Sequence, residues 1–385
     1  MPVSPTLIDR ISALLAHFDT AILPAWTGPG WNPSMQLAHE ALAGSTVQPL
    51  PDQRYRAMAC ARQLYVFATI GNLQHAETLY TSLVRHFGNG AGGWIYSIDP
   101  KGAPLDTTRD LYTHAFVVFA CAHYYGASGN PQALETLRRT VTVIEERFSD
   151  GNGLYHAALA ENFSPNGSGV LQNPVMHLTE AYLAALEATG DAWFADRLQA
   201  LADAVHARFV DPADGCVAEL PQGMSGNRIE PGHQFEWYSL VMTTPALFAQ
   251  APLTAALRRA FDFAHRYGVA KGTLGVCAAL DGQGVVMDGT ERIWAQTEFA
   301  RALVVKAAVD QDNASLAELE TWIDRFRSRF LHANGWHECI SPNGDVVRAE
   351  MPSTTPYHLL TAWQAVRTLL PRSVGNASAD RTAAS

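Results

Sequence analysis

The sequence predicts an all-α chain closed into an (α/α)6 barrel of about twelve helices, with short β-hairpins gathered at one mouth. Three observations carry that expectation. First, Gly-centred segments recur about every 60 residues: GGWIYSIDPKG from Gly92, GLYHAALAENFSPNG from Gly153, GCVAELPQG from Gly215, GVCAALDGQG from Gly275 and GWHECISPNG from Gly335. Each alternates in polarity and closes on an Asp, Asn or Gly turn, as a small hairpin does. Second, between these segments lie pairs of stretches with apolar residues at helical spacing. Third, the two members of each pair differ in character, one mixed and aromatic, the other plainly amphipathic. Such a period marks a repeated two-helix unit, and six units close naturally into an inner and an outer ring.

Thr6 to Phe18 opens the series as an outer helix. The inner helices follow as Arg56 to Ile70, Asp110 to Tyr125, Pro174 to Thr189, His233 to Leu247, Ile293 to Val309 and Pro356 to Leu370, all rich in aromatic, histidine and polar residues. Their amphipathic partners are Gln132 to Phe148, Trp193 to Phe209, Leu253 to Tyr267 and Leu316 to Phe330. Residues 1–370 read as one barrel domain. The tail PRSVGNASADRTAAS, 371–385, is small and polar and is expected to be disordered.

A content of 48% hydrophobic and 17% charged residues suits a globular chain with ample core. The net charge of -10 leaves no basic stripe for displacing phosphate counterions, which argues against a nucleic-acid partner. No run of about 18 apolar residues is present, so no membrane span is expected. The opening MPVSPTLIDRISALL lacks the basic flank and small-residue cleavage site of a signal peptide. Cys60, Cys121, Cys216, Cys277 and Cys339 are odd in number and never form C-x-x-C, a pattern of reduced thiols in a cytoplasmic protein. No phosphate-binding glycine motif occurs, and no cofactor is expected.

In a barrel of this kind the inner-helix starts converge on the axis. Those positions offer Arg62 in ARQLYVFA, Tyr112 and His114 in DLYTHAF, and Asn173, His177 and Glu180 in NPVMHLTEA. They continue with His233, Glu236 and Trp237 in EPGHQFEW, Trp294 and Glu298 in RIWAQTE, and His358 in PYHLL. His233 and Glu236 are three apart and share one helix face. A lone histidine or carboxylate there reads as a cap or a satisfied core group: Glu180 could serve only to orient His177, and Arg62 only to neutralise a glutamate. Buried together, however, so many ionisable groups are costly unless they pair or work. His177 and Glu180 form H-x-x-E without a second ligand at metal spacing, so no metal site is expected. Imidazoles suit proton transfer near neutral pH, such as removal of a proton alpha to a carbonyl, and donors beside the resulting enediol would come from Arg62, Asn173 or His177. That is the chemistry of sugar isomerisation.

These successive inner-helix segments resemble those of the N-acylglucosamine 2-epimerase superfamily, which includes mannose isomerases, mannose 2-epimerases and cellobiose 2-epimerases. The likeness runs from about Arg54 to Leu370, and PGHQFEW followed by a distant PYHL is its specific part. The resemblance implies cofactor-independent proton transfer between two histidines. His358 would be the base at C2 of the open-chain sugar and His233 the partner that opens the ring or returns a proton. Arg62, Asn173, His177, Glu236, Trp294 and Glu298 match family positions that would bind or orient substrate, with Glu180 supporting them; Tyr112 and His114 join them as substrate-binding candidates by their place at an inner-helix start. Ile293 stands before Trp294 where disaccharide epimerases often pair two tryptophans, and PYHLLTAW replaces the Arg-Ala-rich run of many N-acyl epimerases. Both departures favour a free monosaccharide: D-mannose converted to D-fructose through a cis-enediol, or 2-epimerised to glucose. N-acylglucosamine or cellobiose 2-epimerisation remains the alternative. Glycoside hydrolysis on the same barrel would need two carboxylates flanking the bond, such as Glu236 and Glu298, and a sugar-binding barrel would need no base at all. A homodimer is the default expectation.

Overall fold

The computed structural model describes residues 3–88 and 93–371; Gly92, where the first Gly-centred segment opens, and residues 372–385 of the tail lie outside them. The helices in chain order are α1 (Pro5–His17), the short α2 (Leu23–Thr27), α3 (Ala57–Thr69), α4 (Leu73–Phe87), α5 (Leu111–Ser128), α6 (Pro131–Val143) and α7 (Gln172–Thr189). They continue with α8 (Ala192–Phe209), α9 (Pro231–Met242), α10 (Pro252–Gly268), α11 (Ile293–Asp310), α12 (Asn313–Phe330) and α13 (Thr355–Arg367). Their starts follow from local chemistry. Ser4, Asn72, Asp110, Asn130, Asp191 and Asp312 each accept a backbone N–H at the first turn, and proline opens α1, α6, α9 and α10.

Two rings result, an (α/α)6 barrel. The inner helices α3, α5, α7, α9, α11 and α13 each pack on the next, and α13 returns to α3. The outer helices α1, α4, α6, α8, α10 and α12 cover them. Burial follows this division: α10 buries Leu253, Ala256, Leu257, Ala260, Phe261 and Ala264 along one stripe, whereas α9 is buried at every residue. A helix enclosed on both sides can carry polar groups only toward the barrel axis or into hydrogen bonds.

The mouth is built by one pairing repeated. The extended residues just before an inner helix pair with the next Gly-centred segment: Tyr55 with Ile98, Arg109 with Leu159, Ile229 with Leu280, and Glu291 with Ile340. The backbone N–H groups of Ala57, Leu111 and Ile293 then donate to the carbonyls of Tyr96, Ala157 and Glu338. Met351 pairs with Leu42, and Ser353 N donates to Glu40 O, so the last unit closes on the first. Trp26 and Trp336, both buried, meet at this seam with ring centroids 6.5 Å apart.

Several boundaries depart from the sequence-based expectation. The outer helix α4 was not bounded in advance; only the turn at Ile70–Asn72 separates it from α3. α9 stops at Met242, not Leu247, because Pro245 disfavours helix in the residue before it. The third segment, GCVAELPQG, forms no hairpin of its own. Pro221 lacks a ladder donor, and the Asn227 amide instead holds Leu220 N and O at 2.9 and 2.8 Å. The five cysteines are unpaired, and no described helix is long and apolar enough to cross a membrane.

Candidate active site

The inner-helix starts meet around a polar cavity of about 290 Å³. Of the residues expected there, Arg62, Tyr112, Asn173, His177, His233, Glu236, Trp294 and His358 line it. Glu180 and Glu298 lie against the lining histidines and are themselves buried. His114 does not belong with them. Tyr112 and His114 are two apart, so a helix that turns one to the axis turns the other away. The His114 ring accepts from Trp94 N at 3.2 Å, its Nδ1 faces Asp110 O at 2.7 Å, and it packs on Phe148. It fastens the first Gly-centred segment to α5.

The two key histidines flank one indole. The Trp294 ring centroid lies 4.9 Å from that of His233 and 5.7 Å from that of His358. Each imidazole is oriented from behind by a carboxylate. Nδ1 of His358 lies 2.9 Å from Oε1 of Glu298, and Nδ1 of His233 lies 2.7 Å from Oε1 of Glu219. An ionised carboxylate only accepts, so in that state each carboxylate fixes a proton on Nδ1 of its ring, and Nε2 is the nitrogen left for a ligand. The third lining histidine is built alike, with His177 Nδ1 3.2 Å from Oε2 of Glu180.

Trp237 is buried behind the wall and is not one of the lining residues. Its indole N–H donates to Gln172 Oε1 at 2.8 Å, which fixes the amide so that Gln172 Nε2 donates to Glu219 Oε1 at 3.0 Å. Glu219 thus accepts from both Gln172 and His233.

The electrostatics separate the two histidines. Burial works to lower His233, but Glu219 and Glu230 outweigh it and hold the imidazolium above the ordinary 6.5. Burial holds His358 well below that value, and Arg62 and His177 push the same way, although burial lowers His177 as well. Glu298 is pushed up to about 7 by burial, against the pull of Arg301. Glu236 is raised well above the carboxylate range by burial and by Glu298 and Glu180, and neither of its oxygens has a hydrogen-bond partner. Proton binding is thus disfavoured at His358 and favoured at His233, and Glu236 is favoured as the neutral acid.

Among the described residues, three His and carboxylate groupings are tight enough to hold a cation: His177 with Glu180 and Glu236, His233 with Glu219 and Glu230, and His358 with Glu236 and Glu298. In each, the histidine Nδ1 is already hydrogen bonded to a carboxylate of the same grouping.

A model of the N-acylglucosamine 2-epimerase (GlcNAc 2-epimerase) family matches residues 41–362. The chain belongs to that family. It is an enzyme of the sugar isomerase or epimerase type. A protein of Rhizobium meliloti (strain 1021) named mannose-6-phosphate isomerase is 27% identical over 374 residues, 91% of this chain and 94% of the relative. A D-mannose isomerase of Thermobifida fusca is 28% identical over 272 residues, 65% of this chain and 67% of that one. Among solved structures, the cellobiose 2-epimerase of Bacillus thermoamylovorans B4167 superposes with a TM-score of 0.84 at 17% identity, over 93% of this chain and 99% of that chain, which is a likeness of fold.

Sequence reasoning missed part of this N-acylglucosamine 2-epimerase family site. Glu219 and Glu338 line the cavity from equivalent positions in two Gly-centred segments, two residues after Val217 and Trp336. Glu338 accepts from the Trp336 indole at 3.0 Å and the Thr355 hydroxyl at 2.9 Å. Aligning the five segments against one another is the signal that would have exposed both. Arg228, Glu230 and Arg292, just ahead of the inner-helix starts, complete the rim.

Proposed function

We propose that this enzyme interconverts D-mannose and D-fructose through a cis-enediol, with His358 as the base at C2 and His233 as the acid. The observation that carries this is the pair of carboxylate-oriented histidines on either side of Trp294, in surroundings that disfavour the charged form of His358 and favour that of His233. Nε2 of His358 accepts the C2 proton of the open-chain aldose while the C1 carbonyl oxygen gains a proton from the acid side. The C2–H electron pair becomes the C1–C2 double bond of the enediol. Delivery of a proton to C1 with loss of the O2 proton gives the ketose. Return of a proton to C2 on the opposite face, from the His233 side, with loss of the O1 proton, gives glucose instead. Positioned acid and base catalysis of this sort contributes about 10²- to 10⁴-fold.

The dimensions and charges of the cavity support a free monosaccharide. A volume of about 290 Å³ is at the small end for ligand sites, which start near 300 Å³. Arg228 at the rim is already paired with Glu230 at 2.7 Å, and Glu219, held low by His233, adds negative charge to the lining. Hydrolysis finds no support: Glu298 is buried behind His358 and not aimed at a scissile bond.

The test is product analysis with mannose, mannose 6-phosphate, glucose, N-acetylmannosamine and cellobiose side by side, with mannose repeated in deuterated water. Fructose from mannose, with deuterium entering the product, is the expected result, and His358→Ala should abolish both while leaving the fold intact. Absence of turnover and exchange with every aldose would sink the reading; hydrolysis surviving His358→Ala would replace it.

A further inference from the structure

Beneath the cavity, α11 contributes a cation one turn below Glu298. Arg301 Nη1 lies 3.4 Å from Oε2 of Glu298 and 3.9 Å from Oε1 of Glu180. These are the outer oxygens of the two carboxylates. Their other oxygens meet Nδ1 of His358 at 2.9 Å and Nδ1 of His177 at 3.2 Å, and the Tyr357 hydroxyl also donates to Glu180 Oε2. One guanidinium nitrogen thus stands behind two imidazoles that face the same cavity.

We infer that Arg301 is a positioning residue for proton transfer: set between Glu298 and Glu180, it holds both carboxylates in the orientation in which each accepts from Nδ1 of its histidine, leaving both Nε2 atoms to the sugar. This rests on the proposed isomerase reading, since it assigns His358 the role of base. The surroundings explain why a cation is needed. Three buried carboxyl groups, Glu180 on α7, Glu236 on α9 and Glu298 on α11, converge here. The other groups facing them are His177 on α7, His123 on α5, Tyr65 and Arg62 on α3, and Tyr357 and His358 on α13. Arg62 is turned to the cavity, stacked on Phe116 and donating to the Tyr112 hydroxyl. Arg301 is left to face the outer oxygens.

The tautomer is what matters chemically. An ionised Glu298 accepts from Nδ1–H, and His358 Nε2 then has a lone pair for the C2 proton. A protonated Glu298 would instead donate to Nδ1, the ring proton would move to Nε2, and the base would be blocked. Glu298 already rises to about 7 and Arg301 lowers it, so loss of Arg301 moves this limb to higher pH.

The experiment compares the wild type with R301Q, which removes the charge, and R301K, which keeps it; R301M takes the place of R301Q if that variant does not fold. Expected for R301Q are a fall in kcat of about tenfold or more with KM changed little, and an acidic limb of kcat/KM displaced upward, with R301K recovering most of both; an outright wrong tautomer costs about 10⁴ in a related acid–base pair. Histidine ¹⁵N spectra at pH 8.5, above the value of about 7 for Glu298, with the His358 signals assigned by their loss in H358N, should show Nδ1–H in the wild type and a shift toward Nε2–H in R301Q. A wild-type His358 protonated on Nε2 overturns the inference, as does R301Q with unchanged kcat, limb and tautomer. The spectra decide the point without turnover, so a wild type inactive on every aldose would sink the proposed function and leave the role of Arg301 to be judged on the rings alone.

Discussion

Glu236 illustrates how burial sets chemistry at the level of one side chain. Its carboxyl is buried, neither oxygen has a hydrogen-bond partner in the protein, and Glu298 and Glu180 lie near it, so it is raised well above 4.5. A carboxyl raised in the folded state binds its proton more tightly there than in the unfolded chain, so stability is full below pH 4.5 and declines as pH rises toward the folded value. Glu236→Gln removes that decline. We expect the variant to gain roughly 1–3 kcal/mol at pH 8, read as a higher Tm, to match the wild type below pH 4.5, and to turn over more slowly. A melt unchanged at pH 8 would contradict the buried neutral acid. Single residues were legible in the sequence where helical spacing alone decided their facing, as for His233 and Glu236, and misleading where it was overlooked, as for His114 two positions from Tyr112. Arg301 escaped notice because it lies a full turn deeper than the helix starts, where a charged residue reads as solvated until the ring is closed around it.

Between elements, the approach of α9 to α11 determines where the indole sits. Gly232, in the first turn of α9, lets the two helices touch: a Cβ there would lie 2.7 Å from the outer carbons of the Trp294 ring and 2.8 Å from Ala295 Cβ. Gly232→Ala must push Trp294 aside, and with it the common neighbour of His233 and His358. Turnover should fall by about tenfold or more, while the unfolding transition remains cooperative. Wild-type kcat in this variant would mean that the spacing of the histidines does not depend on the indole. The inner and outer helices could be told apart from sequence because a helix enclosed on both sides loses its polar stripe, as α9 does and α10 does not. The Gly-centred segments were found by their glycines and turns, yet their working residues, Glu219 and Glu338, were not, since attention to turn chemistry passes over an acidic side chain at an alternating position.

At the scale of the molecule, closure depends on the seam between the first unit and the last. Trp26 is enclosed against Trp336, whose indole N–H in turn donates to Glu338 at the cavity, so core packing and site geometry are joined there. Trp26→Ala should cost about 3–5 kcal/mol and lower activity as well, through a loosened Glu338; a large drop in Tm with undiminished kcat would separate the two. The period near 60 and the pairing of helices made the ring legible, but the partner of the last segment was not, because the pairing of Met351 with Leu42 joins stretches some 300 residues apart that share no pattern. That pairing also bears on the order in which the chain acquires its activity during synthesis. Glu219, His233 and Trp294 can come together while residues beyond α12 are still being added, whereas His358 rides on α13, which docks between α3 and α11. A nascent barrel missing that helix has His233 but not His358, and it exposes the apolar flanks of α3 and α11. The arrival of His358 in the cavity and the burial of those two flanks therefore coincide, when α13 docks.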